Sequence, residues 1–187
     1  MGPWVRSESG TLTRDDMIKL KKIIGKHTYI AYRDRKEEVM NERLEHFKKG
    51  QMGPYSQCII KAAQEFQKLM IEVTKTAAEF IDLDENNFQV SMQDALSDPK
   101  TVEEMKKNDE NVRLEVEEIN ELTKEKALEI YKDKTDLEQE CEEKMSKIPK
   151  PRTPQDQQKF QGMVMIERTQ IMDKLYLKHK VRMADML

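Results

Sequence analysis

The stretch Asp82-Leu83-Asp84-Glu85-Asn86-Asn87-Phe88-Gln89-Val90-Ser91-Met92-Gln93 places side-chain oxygens at the first, third and fifth positions of a loop, as a calcium-binding EF-hand does. The other positions depart from that pattern. Asn87 stands where a glycine makes the sharp turn, Gln89 stands where an apolar residue belongs, and Gln93 replaces the bidentate glutamate. Asparagine tolerates left-handed backbone, so the first change is minor, whereas the last removes a charged ligand. Asp82, Asp84 and Asn86 therefore stand as weak metal candidates, beside the plainer reading of an acidic helix end, and no cofactor is expected.

The remaining reactive side chains do not gather into a motif. His27, His46 and His179 lie in separate polar surroundings and read as surface residues, and Cys58 and Cys141 are far apart, each inside a helical pattern. Two such cysteines do not make a disulfide framework, which favours a reducing compartment. His-Glu-x-x-His, Cys-x-x-Cys, Gly-x-Ser-x-Gly and phosphate-cradling glycine loops are all missing from the sequence. Acidic pairs such as Glu103-Glu104, Glu117-Glu118 and Glu142-Glu143 fit a solvated helix better than paired acid–base chemistry. No enzymatic activity is expected.

Composition points the same way. Charged residues make up 37% of the 187 residues and aromatics 6%, well above the roughly 25% charged of ordinary globular chains. Most of the chain must face water. The formal charge is only −3, but residues 79–148 hold 22 acidic against 10 basic side chains, and both ends of the chain are mildly basic. Nucleic acid is not an expected partner without a clustered basic face or stacking aromatics. The start, Met-Gly-Pro-Trp-Val-Arg, lacks the apolar run of a signal peptide, and no stretch reaches the roughly 20 apolar residues of a membrane span. These features suggest a cytoplasmic setting.

The apolar spacing defines the elements. Residues 1–12, with Gly2, Pro3, Ser7, Ser9 and Gly10, have no apolar period and read as a disordered arm. A helical core over 13–98 follows, with helices at about 14–48 and 56–82 and a short one at 88–96. Thr13 and Asp16 open the first helix, Gly50 ends it, and Gly25 is either a weak point within it or a place where another backbone comes close. In the second, Ile59, Ala62, Ala63, Phe66, Leu69, Met70, Val73, Ala77, Phe80 and Ile81 recur at steps of three and four and form the clearest amphipathic face.

The segment 101–148 opens on Thr101 and Glu104, a capping-box pair, and contains neither Gly nor Pro, so it is expected as one long acidic helix. Its seam is thin. Val112, Val116 and Ile119 fit one heptad frame, while Ile130, Leu137, Cys141 and Ile148 fit a second, with Lys134 also on that second seam. Residues 149–154 hold Pro149, Pro151 and Pro154 and read as a linker. Residues 155–187 form a C-terminal amphipathic helix with Ile171 and Leu175 on its apolar face and Thr153 as its cap. Its Met163, Met165, Met172, Met183 and Met186 suit an adaptable binding face or a plain helical core. Its Lys174, Lys178, Lys180 and Arg182 raise contact with an anionic membrane, which is disfavoured.

The fold class expected is all-α: an irregular antiparallel helical bundle with a long coiled-coil-like helical arm. A thin acidic helix needs a partner surface, so the function expected is that of a non-catalytic scaffold, adaptor or structural subunit of a larger protein assembly. It would bind other proteins through helix–helix contacts at Val112, Val116, Ile119, Ile130, Leu137, Ile148, Ile171 and Leu175, and a homo-oligomer is one form of this. A cytoskeletal or ciliary assembly suits such helices. A calcium-responsive sensor built on Asp82–Gln93 and a peripheral membrane-binding protein are the alternatives.

Overall fold

A computed structural model describes residues 4–117, 120–182 and 185. The chain is all-α: 81% of the described residues are helical, in six helices among those residues, α1 (Arg14–Lys48), α2 (Met52–Phe80), α3 (Glu85–Ser97), α4 (Pro99–Val116), α5 (Lys124–Ser146) and α6 (Pro154–His179). Among the described residues none of the helices is long and apolar enough to cross a membrane. The chain divides into two compact units. The first comprises Met1–Glu37 and Ala63–Glu118, the second Glu38–Ala62 and Ile119–Leu187.

Local signals account for most helix ends. Thr13 accepts the Asp16 N–H at the start of α1, and Gly50, at φ 68°, ends it by folding the Gly50 and Gln51 amides back onto Phe47 and His46. Thr153 and Asp156 form a reciprocal capping box at α6, with Pro154 in the first turn. Two starts differ from expectation. α2 begins at Met52, because Pro54 falls in a first turn whose amides have no helical partner anyway. α4 begins at Pro99, capped by Asp98, and Thr101 donates both its amide and its hydroxyl to that carboxylate instead of acting as the cap. At its far end α6 stops at His179, where Lys180 turns left-handed at φ 59°, short of the end expected from its apolar spacing.

The expected single helix over 101–148 is two helices. α4 ends at Val116, Glu117 and Asn120 are non-helical, and α5 opens at Lys124 with Thr123 as its cap. The sequence places Glu115, Glu117, Glu118 and Glu121 together with no basic residue between Arg113 and Lys124, so like charges three and four apart weaken a helix there. Thr123 then offers its hydroxyl oxygen to the Lys126 amide, and residues that cap well compete with helix continuation. The arm as one continuous coiled-coil element is thereby corrected.

In the first unit the core is formed by Leu12, by Met17, Leu20 and Ile24 of α1, by Ala78, Ile81 and Leu83 around the end of α2, and by Ala95 of α3. The N-terminal segment, expected to be disordered, packs here. Arg6 and Leu12 form an antiparallel bridge, Trp4 covers the core, and the Val5 amide donates to buried Asp16 at 2.7 Å. Gly10 sits at φ 85° against Asn87, where a Cβ would come within 2.9 Å of the amide nitrogen, so the glycine is required. Trp4 and Leu12 supplied the apolar anchors that the Gly/Ser composition of the segment obscured. Of the amphipathic face read from the sequence, Phe66 is half-buried beside the rings of Tyr29 and Tyr32, and Phe80 is 89% exposed at the end of its helix.

In the second unit α5 and α6 run antiparallel, since Lys144 pairs with Glu167 and Asp133 with Lys178. Ile130, Ile171, Leu175 and Val181 form its apolar cluster, flanked by Leu122, Leu137, Cys141 and Met172. Asp173 is buried beside it and satisfied from two other helices. Arg43 of α1 grips it bidentately, Nε to Oδ2 at 2.9 Å and Nη2 to Oδ1 at 2.8 Å, and the Tyr55 hydroxyl of α2 donates to Oδ2 at 2.9 Å. Burial first, then the carboxylate, push the Tyr55 hydroxyl far above its ordinary range, so it stays a donor. Arg43→Met should therefore cost about 3 to 5 kcal/mol by leaving a buried carboxylate uncompensated. Arg43→Met combined with Asp173→Leu should recover a large part of that loss in a denaturant-melt cycle.

Candidate functional site

The residues expected to bind partners fall in different places. Val112 is fully buried in the first unit, with Val116 half-buried one turn on. Ile130, Ile171 and Leu175 come together in the second unit, with Leu137 at the rim of the same cluster and Ile148 half-buried beyond α5. Ile119 lies outside the described residues, as do Met183 and Met186. The seam is thus covered from within, and its deepest members are unavailable to another chain while the units are folded. Lys134, expected as a charge on that seam, lies at the surface 3.6 Å from Glu138.

The calcium reading fails on geometry. α3 already begins at Glu85, so nine of the twelve residues from Asp82 to Gln93 are helical and no twelve-residue loop exists to wrap an ion. Asp82 has a different task. At φ 53° it is the left-handed residue closing α2, with its own amide bonded to the Glu79 carbonyl and the Leu83 amide to Ala78, the pairing of a Schellman motif. Asp84 caps α3 by accepting the Asn87 amide at 2.9 Å, and Asn86 is exposed in the first turn. The oxygens that looked like a ligand set are helix punctuation.

In the first unit a groove of about 180 Å³ runs beside Ile24, Gly25, Tyr29, Met70, Asp109 and Val112. The Tyr29 hydroxyl donates to Asp109 at 3.1 Å from one oxygen and 3.2 Å from the other, and the Arg113 guanidinium lies 5.9 Å from the ring centre. Burial, then the Asp109 charge, push the phenol up to about 12. Tyr29 therefore keeps its proton and acts as a hydrogen-bond donor. The groove is smaller than the roughly 300 Å³ at which drug-sized ligand sites begin; it suits water or a small polar group. A Cβ at Gly25 would meet the Asp109 side chain at an ordinary 3.7 Å, so no close approach of another backbone requires the glycine.

His179, expected at the surface, is buried in the second unit. Its Nε2 meets Asp133 Oδ2 at 2.5 Å and its Nδ1 lies 3.0 Å from Lys126 Nζ. A lysine ammonium only donates, so Nδ1 accepts and Nε2 carries the proton toward Asp133. Lys178 reaches the same Asp133 oxygen at 2.5 Å. Sequence spacing gave no signal of this array, because its members meet only through the antiparallel pairing of α5 and α6. The basic residues that suggested a membrane face are partly committed here, and Leu175 and Val181 between them point into the cluster.

Outside these clusters, large apolar side chains stand in water. Leu128 is 61% exposed and Tyr131 68%, one turn apart on α5 and outside the cluster around Ile130. Neither had stood out in the sequence, where a lone leucine and tyrosine among charges look unremarkable.

Two outcomes follow. Asp82→Gly should stabilise the first unit by up to about 1 kcal/mol, because glycine adopts the left-handed turn without strain; the melting midpoint checks it, with calcium making no difference. The second concerns pH. The Lys178 hydrogen bond, then that of His179, hold the Asp133 carboxyl below its ordinary value, and Asp133 holds Lys178 above its own. A depressed acid stabilises above its unfolded value of about 3.9, and a raised lysine stabilises below about 10.4. The α5–α6 pairing should thus be firmest between those limits and weaken as pH falls through the Asp133 value. Melts of the chain and of Asp133→Asn across pH 3 to 7 should show a smaller acid loss in the variant.

No protein-family model matches this chain, and neither a curated protein nor a solved structure matches it.

Proposed function

We propose that the chain is a non-catalytic helical binding subunit, a scaffold or adaptor of a larger protein assembly, working through side chains on the outer faces of its helices. The observation that carries this reading is the pair Leu128 and Tyr131. Two large apolar side chains one helical turn apart, both more than half exposed, match the spacing at which a helix anchors itself to a groove or to another helix. An aromatic and a leucine are also costly to leave in water, at about 25 cal/mol for each Å² of apolar surface. The same helix is held by Ile130 against α6, so the anchors are presented on a supported element.

This reading moves the contacts off the apolar seam expected from heptad spacing. The partner is another protein, with a second copy of the chain as one form of it. Around the anchors α5 alternates charge, with Lys124, Lys132 and Lys134 against Glu125, Asp136 and Glu138, which suits a partner helix of mixed charge and gives register rather than strength. Helical binding subunits of this kind suit a cytoskeletal or ciliary assembly in the cytoplasm, and that placement is part of the proposal.

Leu128→Asp with Tyr131→Asp should abolish co-purification of the partners that the tagged full chain captures from its own cell, while the far-ultraviolet dichroism and the melt stay as in the parent. Ile130→Ala should instead lower stability by about 2 to 5 kcal/mol and affect capture only through unfolding. Undiminished capture by the folded double variant would sink the proposal.

A further inference from the structure

Among the described residues one group of three potential metal ligands has its ligand atoms all within 4.8 Å of one another: Glu42, His46 and Cys58. Glu42 and His46 are four apart on α1, hence stacked on one helix face, and Cys58 comes from α2 across the turn at Gly50 and Gln51. All three belong to the second unit. We propose that they form a transition-metal site selecting zinc(II), with three protein ligands and one position left to water or an incoming donor.

The donor set makes the choice of metal. Calcium and magnesium take oxygen ligands in sixes and more, whereas one thiolate, one imidazole and one carboxylate are the ligands of zinc. Tetrahedral coordination at roughly 2.0 to 2.3 Å needs ligand atoms about 3.3 to 3.8 Å apart. From its 4.8 Å limit the trio must close by about 1.5 Å at most. Glu42 is exposed and meets the Cys58 thiol in a hydrogen bond, while His46 and Cys58 are half-buried.

The imidazole is oriented from outside the trio. His46 Nδ1 lies 2.7 Å from Gln51 Oε1; that oxygen only accepts, so Nδ1 carries the hydrogen and Nε2 keeps its lone pair for an ion. Metal-bound histidines are commonly held through their second nitrogen in this way. The hairpin itself is rigid. Phe47 and Tyr55 pack ring to ring at 5.3 Å on either side of the turn, and Tyr55 is pinned by Asp173. Cys58 lies one turn beyond Tyr55, so its register against His46 is set by the same contacts. Burial, then Glu42, push the Cys58 thiol up, which makes it a poor free nucleophile. A bound ion would take the thiol proton's place and clamp α1 to α2 within this unit.

The test uses the full reduced chain and cobalt(II), a spectroscopic stand-in for zinc. Titration should produce a sulfur-to-metal charge-transfer band that saturates at one equivalent and is bleached by added zinc. Cys58→Ser should abolish the band and Cys141→Ser should keep it. Gln51→Ala should weaken the metal by about 10- to 100-fold while sparing every ligand, and Glu42→Gln, at an exposed position, should weaken it at least as much. Each variant is checked by far-ultraviolet dichroism. The site is refuted by the absence of a saturating thiolate band in the parent, by its persistence in folded Cys58→Ser, or, if that variant does not fold, by unchanged affinity in Glu42→Gln and Gln51→Ala.

Discussion

Asp173 is a carboxylate with almost no access to water, and a buried charge of that kind is tolerable only when its oxygens are taken up by well-aligned donors. Arg43 supplies two donors in a planar fork and Tyr55 a third. The arrangement demands that α1, α2 and α6 meet at one point, although the residues are up to 130 apart in the chain. Other features of the second unit hang from that point. It sets the height of α6, hence which turn of α6 faces Ile130, and it fixes Tyr55, against which Phe47 packs to hold the hairpin that carries His46 and Cys58.

The antiparallel pairing of α5 and α6 solves a problem of composition. A helix with a thin apolar seam and many acids gains little from its own propensity, so its stability comes from what covers the seam. Ile130 is covered by Ile171 and Leu175, and the edges are trimmed by Lys144 with Glu167 and by Asp133 with Lys178 and His179. Exposed ion pairs contribute little singly. Their use here is to set direction and register, since a parallel or slipped α6 would bring like charges together.

The first unit works by a different device. Its core is small, and part of it is supplied by a segment ahead of α1, whose amide at Val5 satisfies the buried Asp16 carboxylate and whose Leu12 amide meets Ser91 of α3. Burial alone would raise the Asp16 carboxyl, but the hydrogen bonds from Lys19 and Val5 outweigh it and hold the group ionised. The N-terminal segment is thereby tied to α1 and α3 by polar groups as much as by Trp4. Asp82, Asp84 and Asp98 then divide the polypeptide into α2, α3 and α4 within about 17 residues, one ending a helix and two starting one.

By itself the sequence determined what depends on neighbours in the chain: an all-α fold, the bounds of α1 and the cap of α6 at Thr153. These rest on caps, turns and a 3.6-residue repeat, all of which act within a few residues. Heptad spacing likewise picked out Val112 and Ile130, and the apolar face of the last helix Ile171 and Leu175, as residues that must be covered, but spacing carries no record of the covering surface. Only the tertiary structure decided that this surface is internal. It alone brought Arg43 to Asp173, His179 to Asp133 and Cys58 to His46. Those pairs are made of residues whose types are ordinary on a charged surface, and what sets them apart is the loss of water around them when distant helices meet.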